Sequence, residues 1–386
     1  MTEKRRVAEI VYSDSRVSPL NKGLGAFDQP LEPEDIAALG WNLLREDLSL
    51  PTAVLYQEKL LHNLHWMQQF ITAYGVKLAP HGKTTMAPKL FNLQLKAGAW
   101  GITLATAQQT SVAYRHGVRR VLMANQLVGK QNMAIISRLI EDEEFDFYCL
   151  VDSAQQVEQL GEFYRAKGQR LQVLIELGVE GARAGVRDEE QLQSVLTALS
   201  TWREQLALCG IEVYEGVLKD EAAIRDLLQR AVDITRELAQ EQRFDSKRIL
   251  LSGAGSAWYD VVADVFSKAG LGDSVDVVLR PGCYLTHDVG IYREAQQEIL
   301  RRNPIAKKMH SSLQPALQLW AYVQSVPEKR EGHCCPWKAG RRVRCRPPHP
   351  SSALSARKCG ARSGSTGLAT HEDDGPTRLS SDCRRR

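Results

Sequence analysis

A lysine in the segment APHGKTTMAP (79–88) is the residue of this sequence best placed for covalent chemistry. Lys83 stands three residues after VKLAP (76–80), a short apolar run typical of a buried strand. An amine held at a strand end and partly desolvated has a lowered pKa and can form a Schiff base with an aldehyde cofactor. The alternative is an ordinary loop lysine, and the segment alone leaves both interpretations open.

Two glycine-containing segments further along the chain are suited to binding a phosphate group. SGAGSA (252–257) lies between an apolar run and a helix-like segment, and RPGCY (280–284) follows the last apolar run. Small residues let backbone N–H groups approach an anion, and a helix start adds its dipole. Either segment alone is a weak signal, because many strand-to-helix turns need glycine for backbone reasons.

Three further side chains are candidates for contact with the same ligand. Tyr214 ends one apolar run, Arg183 follows another in GVEGARAGV, and His81 stands two residues before the lysine. Each also has an ordinary interpretation. Tyr214 would be a half-buried packing residue, Arg183 a solvated loop charge, and His81 a structural loop histidine.

The elements that must position these residues form a regular alternation. Eight short apolar runs between residues 76 and 282 are separated by amphipathic, helix-like segments, which is the pattern of a buried parallel sheet. We predict an α/β fold with a closed (β/α)₈ barrel; an open doubly wound sheet is the alternative. In a barrel, catalytic groups lie where strands end, and phosphate sites are frequently built after the seventh and eighth strands. Lys83 and the two glycine segments would then meet as a cradle for pyridoxal 5′-phosphate (PLP).

Composition narrows the class of protein. The chain of 386 residues is 43% hydrophobic and 25% charged, with a net charge of +4, which is ordinary for a soluble globular protein. A net charge this small does not indicate binding to nucleic acid or to membrane surfaces. No apolar run approaches the roughly 20 residues of a membrane span. Only three of the eight cysteines, Cys149, Cys209 and Cys283, precede residue 330. We therefore expect a cytoplasmic protein with neither nucleic-acid nor membrane partners.

The sequence changes character near its C-terminal end. Residues 329–386 are rich in Arg, Cys, Pro, Ser and Gly and lack strand or helix periodicity. One interpretation is a disordered basic tail. A sharper interpretation is a shifted reading frame. Residues 332–348 can be written in ordinary codons that, when read in a shifted frame, encode a segment with a strand-like apolar start. Under that hypothesis a C-terminal β-domain is truncated or missing, and sequencing the gene across codons 325–335 decides it.

Several segments together resemble a known family. APHGKTTMAP, AGAWGITLATAQQ, GVRRVLMANQLVG, SGAGSAWYDVV and RPGCYLTHDVGIY are similar to the bacterial amino acid deaminase branch of the D-serine dehydratase/D-threonine aldolase family. The resemblance covers about residues 25–328. It implies an alanine-racemase-type PLP barrel followed by a β-domain, to which the strand-like segment PTAVLY (51–56) also contributes. Without the resemblance, PTAVLY could equally cap the barrel end.

The expected domain organisation follows. Residues 1–50 form an N-terminal extension, 51–300 the PLP-binding barrel, and 301–328 the start of a C-terminal β-domain. Residues 329–386 are the disordered, frame-shifted tail.

The resemblance also implies roles for individual residues. Lys83 carries PLP, and His81 lies beside the cofactor. Tyr214 is expected by the pyridine nitrogen and Arg183 near the ring hydroxyl. The phosphate-binding positions of the family fall on five loop residues: Gly255, Ser256, Gly282, Cys283 and Tyr284.

The implied chemistry is that of a PLP-dependent carbon–nitrogen lyase similar to D-serine ammonia-lyase. Lys83 removes the α-hydrogen of a D-hydroxy amino acid, the β-hydroxyl leaves, and a keto acid and ammonia result. The alternatives are D-threonine-aldolase-type cleavage, a non-catalytic PLP-binding truncated protein, and a barrel that binds a phosphate ligand without PLP. A homodimer is implied by family analogy only.

A metal is a separate question. In the family's dehydratases, zinc polarises the leaving hydroxyl, and its ligands belong to the C-terminal β-domain. The residue types recur here as His333, Cys334 and Cys335, but in the atypical tail and without a recognised zinc spacing. We therefore expect no metal site in this chain.

Overall fold

Short strands and amphipathic helices alternate along most of the chain. The computed structural model describes residues 16–328, 331–334 and 344–345. The strands are β1 (Thr52–Leu55), β2 (Lys77–Leu78), β3 (Ile102–Leu104), β4 (Arg120–Gln126), β5 (Asp146–Val151), β6 (Leu171–Leu177), β7 (Leu206–Val213), β8 (Ile249–Gly253), β9 (Val275–Leu279), β10 (Leu317–Trp320), β11 (Val323–Glu328), β12 (Glu331–Cys334) and β13 (Arg344–Cys345). The helices are α1 (Gln57–Tyr74), α2 (Pro88–Lys96), α3 (Ala107–Arg115), α4 (Lys130–Leu139), α5 (Ala154–Lys167), α6 (Glu189–Thr201), α7 (Glu221–Gln240), α8 (Tyr259–Ser267), α9 (Ile291–Arg302) and α10 (Pro304–Lys308).

Strands β2–β9 form one parallel sheet of eight strands, in the order β2-β9-β8-β7-β6-β5-β4-β3. The sheet closes between β2 and β3, where the Trp100 N–H donates to the Leu78 carbonyl (2.7 Å) and the Thr103 N–H to the Pro80 carbonyl (2.9 Å). A parallel bridge between His81 and Thr103 lies at the same seam. The predicted (β/α)₈ barrel is confirmed, and the open doubly wound sheet is excluded.

The strands are buried on both faces, which explains their continuous apolar sequence. Successive residues of a strand point to opposite faces. Val121 and Met123 of β4 therefore pack with the surrounding helices, whereas Leu122 belongs to a smaller apolar cluster of residues from the strands and their ends. The second cluster fills the barrel interior, so the barrel is a packed core and ligands have access only at its ends.

The helices are positioned by capping residues and apolar stripes that the sequence encodes locally. In α7, Asp220 accepts a hydrogen bond from the Ala223 N–H at the start. The buried residues Ile224, Leu227, Leu228 and others follow at helical spacing. Each such side chain contributes about 1.5–3 kcal/mol on burial, so the stripe fixes the helix against the sheet.

The strand that precedes the barrel, β1, pairs with a strand that follows it. β1 pairs antiparallel with β10, in the register Thr52–Trp320 to Leu55–Leu317. This is the pairing expected of a strand shared with a later β-structure. β11, β12 and β13 form a further three-stranded sheet. The domain boundaries at residues 50, 300 and 328 stay predictions.

Most of the predicted tail lies outside the described residues. Within 329–386, the structure describes only the backbone of β12 and β13. The predicted disorder and the shifted frame therefore stay predictions. Among the described residues, no helix has the length and apolar character needed to cross a membrane.

Candidate active site

Lys83 lies at the carboxyl end of the barrel. It is the middle residue of a short 3₁₀ turn, Gly82–Thr84, that follows β2. The side chain is largely exposed at this end of the barrel, which we call the mouth. Its remaining burial and the nearby cations Arg183 and Arg280 lower the pKa of the amine. A lowered pKa leaves more of the amine neutral than in an ordinary lysine, as a nucleophile or a base requires.

The Lys83 turn packs directly against the loop after β9. A Cβ atom on Gly282 would lie 2.4 Å from the His81 carbonyl oxygen and 2.6 Å from Thr84 Oγ1, so only glycine permits this approach. The next residue, Cys283, places its Sγ 3.9 Å from Thr84 Oγ1. The candidate lysine and one candidate phosphate loop are therefore in contact.

The loops after β8 and β9 are joined to each other. The Cys283 N–H donates to Ser256 Oγ (3.1 Å), and the Arg280 N–H donates to the Gly253 carbonyl (3.1 Å). Ser256 lies just before α8, and the start of a helix favours an anion. Three of the candidate phosphate residues, Ser256, Gly282 and Cys283, thus lie together.

Gly255 has a different environment from these three. The Glu215 carboxylate accepts the N–H groups of Gly255 (2.7 Å) and Ala254 (3.0 Å). Glu215 is 0% exposed, and its burial raises the pKa of the carboxyl despite these bonds. The Gly255 N–H is therefore engaged by the protein, and its phosphate-binding role stays a prediction. Its lack of a side chain makes room for Tyr214, whose Cε2 would lie 3.2 Å from a Cβ there.

Tyr284 is joined to α2 through its hydroxyl. Its side chain is 3% exposed, and its hydroxyl accepts a hydrogen bond from Gln94 Nε2 of α2 (3.1 Å). Tyr284 also lines a small cavity together with Ser256 and Cys283, and its phosphate-binding role stays a prediction.

Arg183 and Tyr214 lie together at the mouth. The Arg183 guanidinium carbon is 5.5 Å from the centre of the Tyr214 ring, within range of a cation–π contact. The loop that carries Arg183 is held in place because Asp152 accepts the Gly185 N–H (3.0 Å). Arg187 also donates to the Ala182 carbonyl (2.8 Å). Arg183 lies near enough to Lys83 for its positive charge to lower the pKa of that amine.

His81 is a neutral polar group at the same end. Burial, together with the charges of Lys83 and Arg280, lowers the pKa of His81 to about 3. Its buried Nδ1 has no hydrogen-bond partner among the residues the structure describes. The ring can therefore offer one nitrogen to a ligand without adding charge.

Charged residues that sequence alone did not single out lie beneath the mouth. Arg280 pairs with the buried Glu212 of β7 and also donates to the Val213 carbonyl (3.0 Å). Burial raises the pKa of Glu212, and Arg280 opposes that rise. Glu176 of β6 accepts from Gln126 Nε2 (2.5 Å), and burial raises its pKa. The available signal was an acidic residue inside an otherwise apolar run, as in LQVLIELGV and LCGIEVYEG.

No metal centre is formed within the described part of the chain, where no group of three or more His, Cys, Asp or Glu residues could hold an ion. The tail candidates His333, Cys334 and Cys335 lie outside the residues whose side chains the structure describes. The metal therefore stays a question for experiment.

Sequence comparison places the barrel in a family. The profile of the family described as alanine racemase, N-terminal domain, matches residues 56–285. D-threonine aldolase from Arthrobacter sp. is 26% identical over 254 residues, 63% of this chain and 63% of that protein. D-threo-3-hydroxyaspartate dehydratase from Delftia sp. (strain HT23) is 30% identical over 139 residues, 36% of each protein. The matched segments thus span less than two thirds of these relatives.

Solved structures show the same fold. D-threonine aldolase from Filomicrobium marinum superimposes with a TM-score of 0.61 at 21% identity, covering 75% of this chain and 73% of that one. D-threo-3-hydroxyaspartate dehydratase from Delftia sp. HT23 gives 0.58 at 23% identity, covering 74% and 71%. The family profile spans more than half of the sequence and coincides with the observed barrel. The chain therefore belongs to the alanine racemase N-terminal domain family.

Proposed function

We propose that this protein is a PLP-dependent lyase that acts on D-amino acids carrying a β-hydroxyl group, with Lys83 as the cofactor-bearing lysine. The observation that carries the proposal is the contact between the Lys83 turn and the Gly282 loop. It joins an amine of lowered pKa to the loops suited to a phosphate. An aldehyde and a phosphate on one small molecule match these two features together.

The residues present fit PLP on this ground and on two further ones. Gly282 lies where any Cβ atom would collide with the turn that bears the lysine. His81 Nδ1 is buried beside that turn and has no partner in the described part of the chain. The loop residues Ser256 and Cys283 lie next to the start of α8, which favours an anion. Lys83 would hold the aldehyde carbon, and the loops after β8 and β9 the phosphate.

When bound, PLP supplies an electron sink for the negative charge that develops at the substrate α-carbon. The chain's own part is to move the proton. The Lys83 amine can accept the α-proton because its pKa is lowered by partial burial, Arg183 and Arg280. His81 stays uncharged beside it, so it adds no further repulsion to a protonated Lys83.

Two mouth residues have roles in orientation under this proposal. Arg183 is held over the Tyr214 ring, and its positive charge is available to an anionic group of the ligand. Tyr214 is 36% exposed, so one face of the ring is open to the mouth. We assign Tyr214 to the pyridine side of the cofactor and Arg183 to its hydroxyl side, as the family resemblance implies.

The reaction type has two forms within this proposal. Dehydration of a D-serine-like substrate gives a keto acid and ammonia, and a relative named D-threo-3-hydroxyaspartate dehydratase supports it. Aldol cleavage breaks the Cα–Cβ bond instead, and relatives named D-threonine aldolase and 3-hydroxy-D-aspartate aldolase support that form. Both reactions depend on Lys83. They differ in the bond that breaks: the bond from Cβ to the hydroxyl oxygen in dehydration, and the Cα–Cβ bond in aldol cleavage.

The deciding experiment uses the full chain, Lys83→Ala, and Lys89→Ala as a matched control. Lys89 is an exposed lysine on the first turn of α2. With added PLP, the wild type and Lys89→Ala should show the yellow band of a lysine-bound aldehyde, and Lys83→Ala should not. A band that survives in Lys83→Ala would overturn the proposal.

Product analysis then separates the two reaction forms. D-threonine yields 2-oxobutanoate and ammonia by dehydration, but glycine and acetaldehyde by cleavage. Each assay is run with and without added zinc. We expect Lys83→Ala to reduce turnover at least about 10³-fold and Lys89→Ala to leave it unchanged. A wild type that is yellow but inert with both D-serine and D-threonine would identify a PLP-binding protein without catalysis.

A further inference from the structure

A small, partly open cavity lies beside the two loops that the proposed function assigns to phosphate. Its volume is about 10 Å³, which is room for one water molecule or one oxygen atom. Residues from the β8 and β9 loops, α8 and α9 line it, among them Ser256, Cys283, His287, Tyr292 and Gln296. None of the described residues that line it carries a carboxylate.

Gln296 of α9 has an amide NH₂ group that nothing in the described protein satisfies. The side chain is 2% exposed, and Tyr259 donates its hydroxyl proton to Gln296 Oε1 (2.6 Å). The carbonyl is the half of the amide that can accept this proton, so the NH₂ group is turned the other way. Gln296 Nε2 has no partner among the described residues. An unpaired buried donor costs about 1–3 kcal/mol, which favours a ligand that accepts from it.

The other groups around the cavity suit an acceptor with negative charge. Ser256 Oγ accepts from the Cys283 N–H, so its own proton is free to donate elsewhere. Tyr259 is the first residue of α8, a helix of nine residues, and its start adds positive potential. His287 is buried, and burial lowers its pKa, so it adds a neutral polar ring rather than a charge.

We propose that this cavity is an anion subsite in which the Gln296 amide and the Ser256 hydroxyl bind one oxygen of a phosphate group. The inference rests on the proposed function for the identity of the phosphate, which would belong to PLP. The cavity itself recognises phosphate chemistry, so inorganic phosphate is a second ligand of the same class. α9 thereby becomes part of the binding site.

The test measures binding to the full chain freed of PLP, by titration calorimetry, with inorganic phosphate, PLP and phosphate-free pyridoxal. The variant is Gln296→Leu. The matched control is Gln156→Leu, another buried glutamine, whose amide is fully partnered by the Leu150 carbonyl and the Asp152 N–H. We expect Gln296→Leu to weaken PLP and inorganic phosphate about 10- to 100-fold, and to leave pyridoxal unchanged. Gln156→Leu should leave all three unchanged.

The possible results test the anion subsite separately from the proposed function. Equal PLP affinity in the wild type and Gln296→Leu overturns the subsite while the function stands. Equal loss of pyridoxal and PLP also overturns it, because the effect is then structural. A wild type that binds inorganic phosphate but not PLP, with Gln296→Leu weakening phosphate, supports the subsite and refutes the function. Should Gln296→Leu not fold, a crystal structure of the wild type with phosphate decides. An anion out of reach of Gln296 Nε2 overturns the inference.

Discussion

The two ends of the barrel are both lined with charged side chains, but the charges are arranged differently. At the amino end, Asp276 of β9 accepts from Lys77 of β2 (2.5 Å) and from Arg248. Arg120 and Asp146 pair beside them (2.8 Å). At the carboxyl end of the same strands lie the groups of the candidate site. These amino-end charges are paired with one another, whereas buried polar atoms without a partner in the described residues lie towards the carboxyl end.

The unpartnered atoms make this difference concrete. The described residues contain five buried side-chain nitrogen or oxygen atoms without a hydrogen bond, and four of them lie at or near the carboxyl end: His81 Nδ1, Glu212 Oε2, Arg280 Nε and Gln296 Nε2. The fifth is Trp320 Nε1 on β10. Buried polar atoms are normally satisfied, so this concentration is what we expect if the carboxyl end receives a ligand. The amino end, by contrast, contributes stability.

The sharpest test of the comparison is Arg280→Met. This change leaves the buried Glu212 without its cation. Burial raises the pKa of Glu212 to about 8 in the wild type and Arg280 opposes that rise, so the pKa rises further in Arg280→Met. The destabilisation specific to the variant should therefore grow as pH rises above about 8, and we expect a loss of about 3–5 kcal/mol in the free energy of unfolding at alkaline pH. Urea denaturation at several pH values measures it.

The double variant Glu212→Gln with Arg280→Met is the control for this prediction, because it removes the stranded charge. We expect it to recover much of the lost stability. A single Arg280→Met variant within about 1 kcal/mol of the wild type would mean that the pair is not buried as described.

A smaller effect, on stability alone, is expected at the amino end. Asp276→Asn removes the negative partner of Lys77 and Arg248, and we expect a loss of about 1.5–3 kcal/mol. The two cations are 42% and 53% exposed, so water solvates them and limits the cost. PLP affinity should stay at the wild-type value. If Asp276→Asn weakens PLP binding while Arg280→Met does not, the assignment of the two ends is wrong.

The smallest expected effect is the contribution of His81 to the pH dependence of the free energy of unfolding. Its folded-state pKa is about 3, against an ordinary 6.5, so the folded protein disfavours the charged ring. The associated stability is complete above pH 6.5 and is lost as pH falls below it. Replacement by Asn removes this dependence. We expect His81→Asn to lose about 1–2 kcal/mol less than the wild type between pH 7 and pH 5.

His65→Asn serves as the comparison for this measurement, since His65 is an exposed histidine on α1. Its profile should follow that of the wild type. Parallel profiles for His81→Asn and the wild type would show that the His81 ring is not held uncharged by the fold.

Much of the fold was predictable because its signal is local. The alternation of apolar runs and amphipathic helices predicted eight barrel strands, and the positions of Lys83, Ser256 and Gly282 at strand ends predicted their proximity. Parallel strands bring their carboxyl ends to one edge, so chain position alone located these residues. The register of β1 with β10, and the closure of the barrel at His81 and Thr103, depend on distant segments and were not readable from either one.

The chemical state of the site was decided only by packing. Residue types and order suffice to indicate a lysine, two glycine loops and a barrel, because backbone geometry and apolar periodicity are properties of short segments. Burial and partners are not. Gly255 donates its N–H to Glu215, Tyr284 accepts from Gln94, and Gln296 has an amide NH₂ group without a partner among the described residues. A side chain's charge and its free hydrogen bonds depend on which distant groups exclude water around it, and that is settled only when the whole chain is folded.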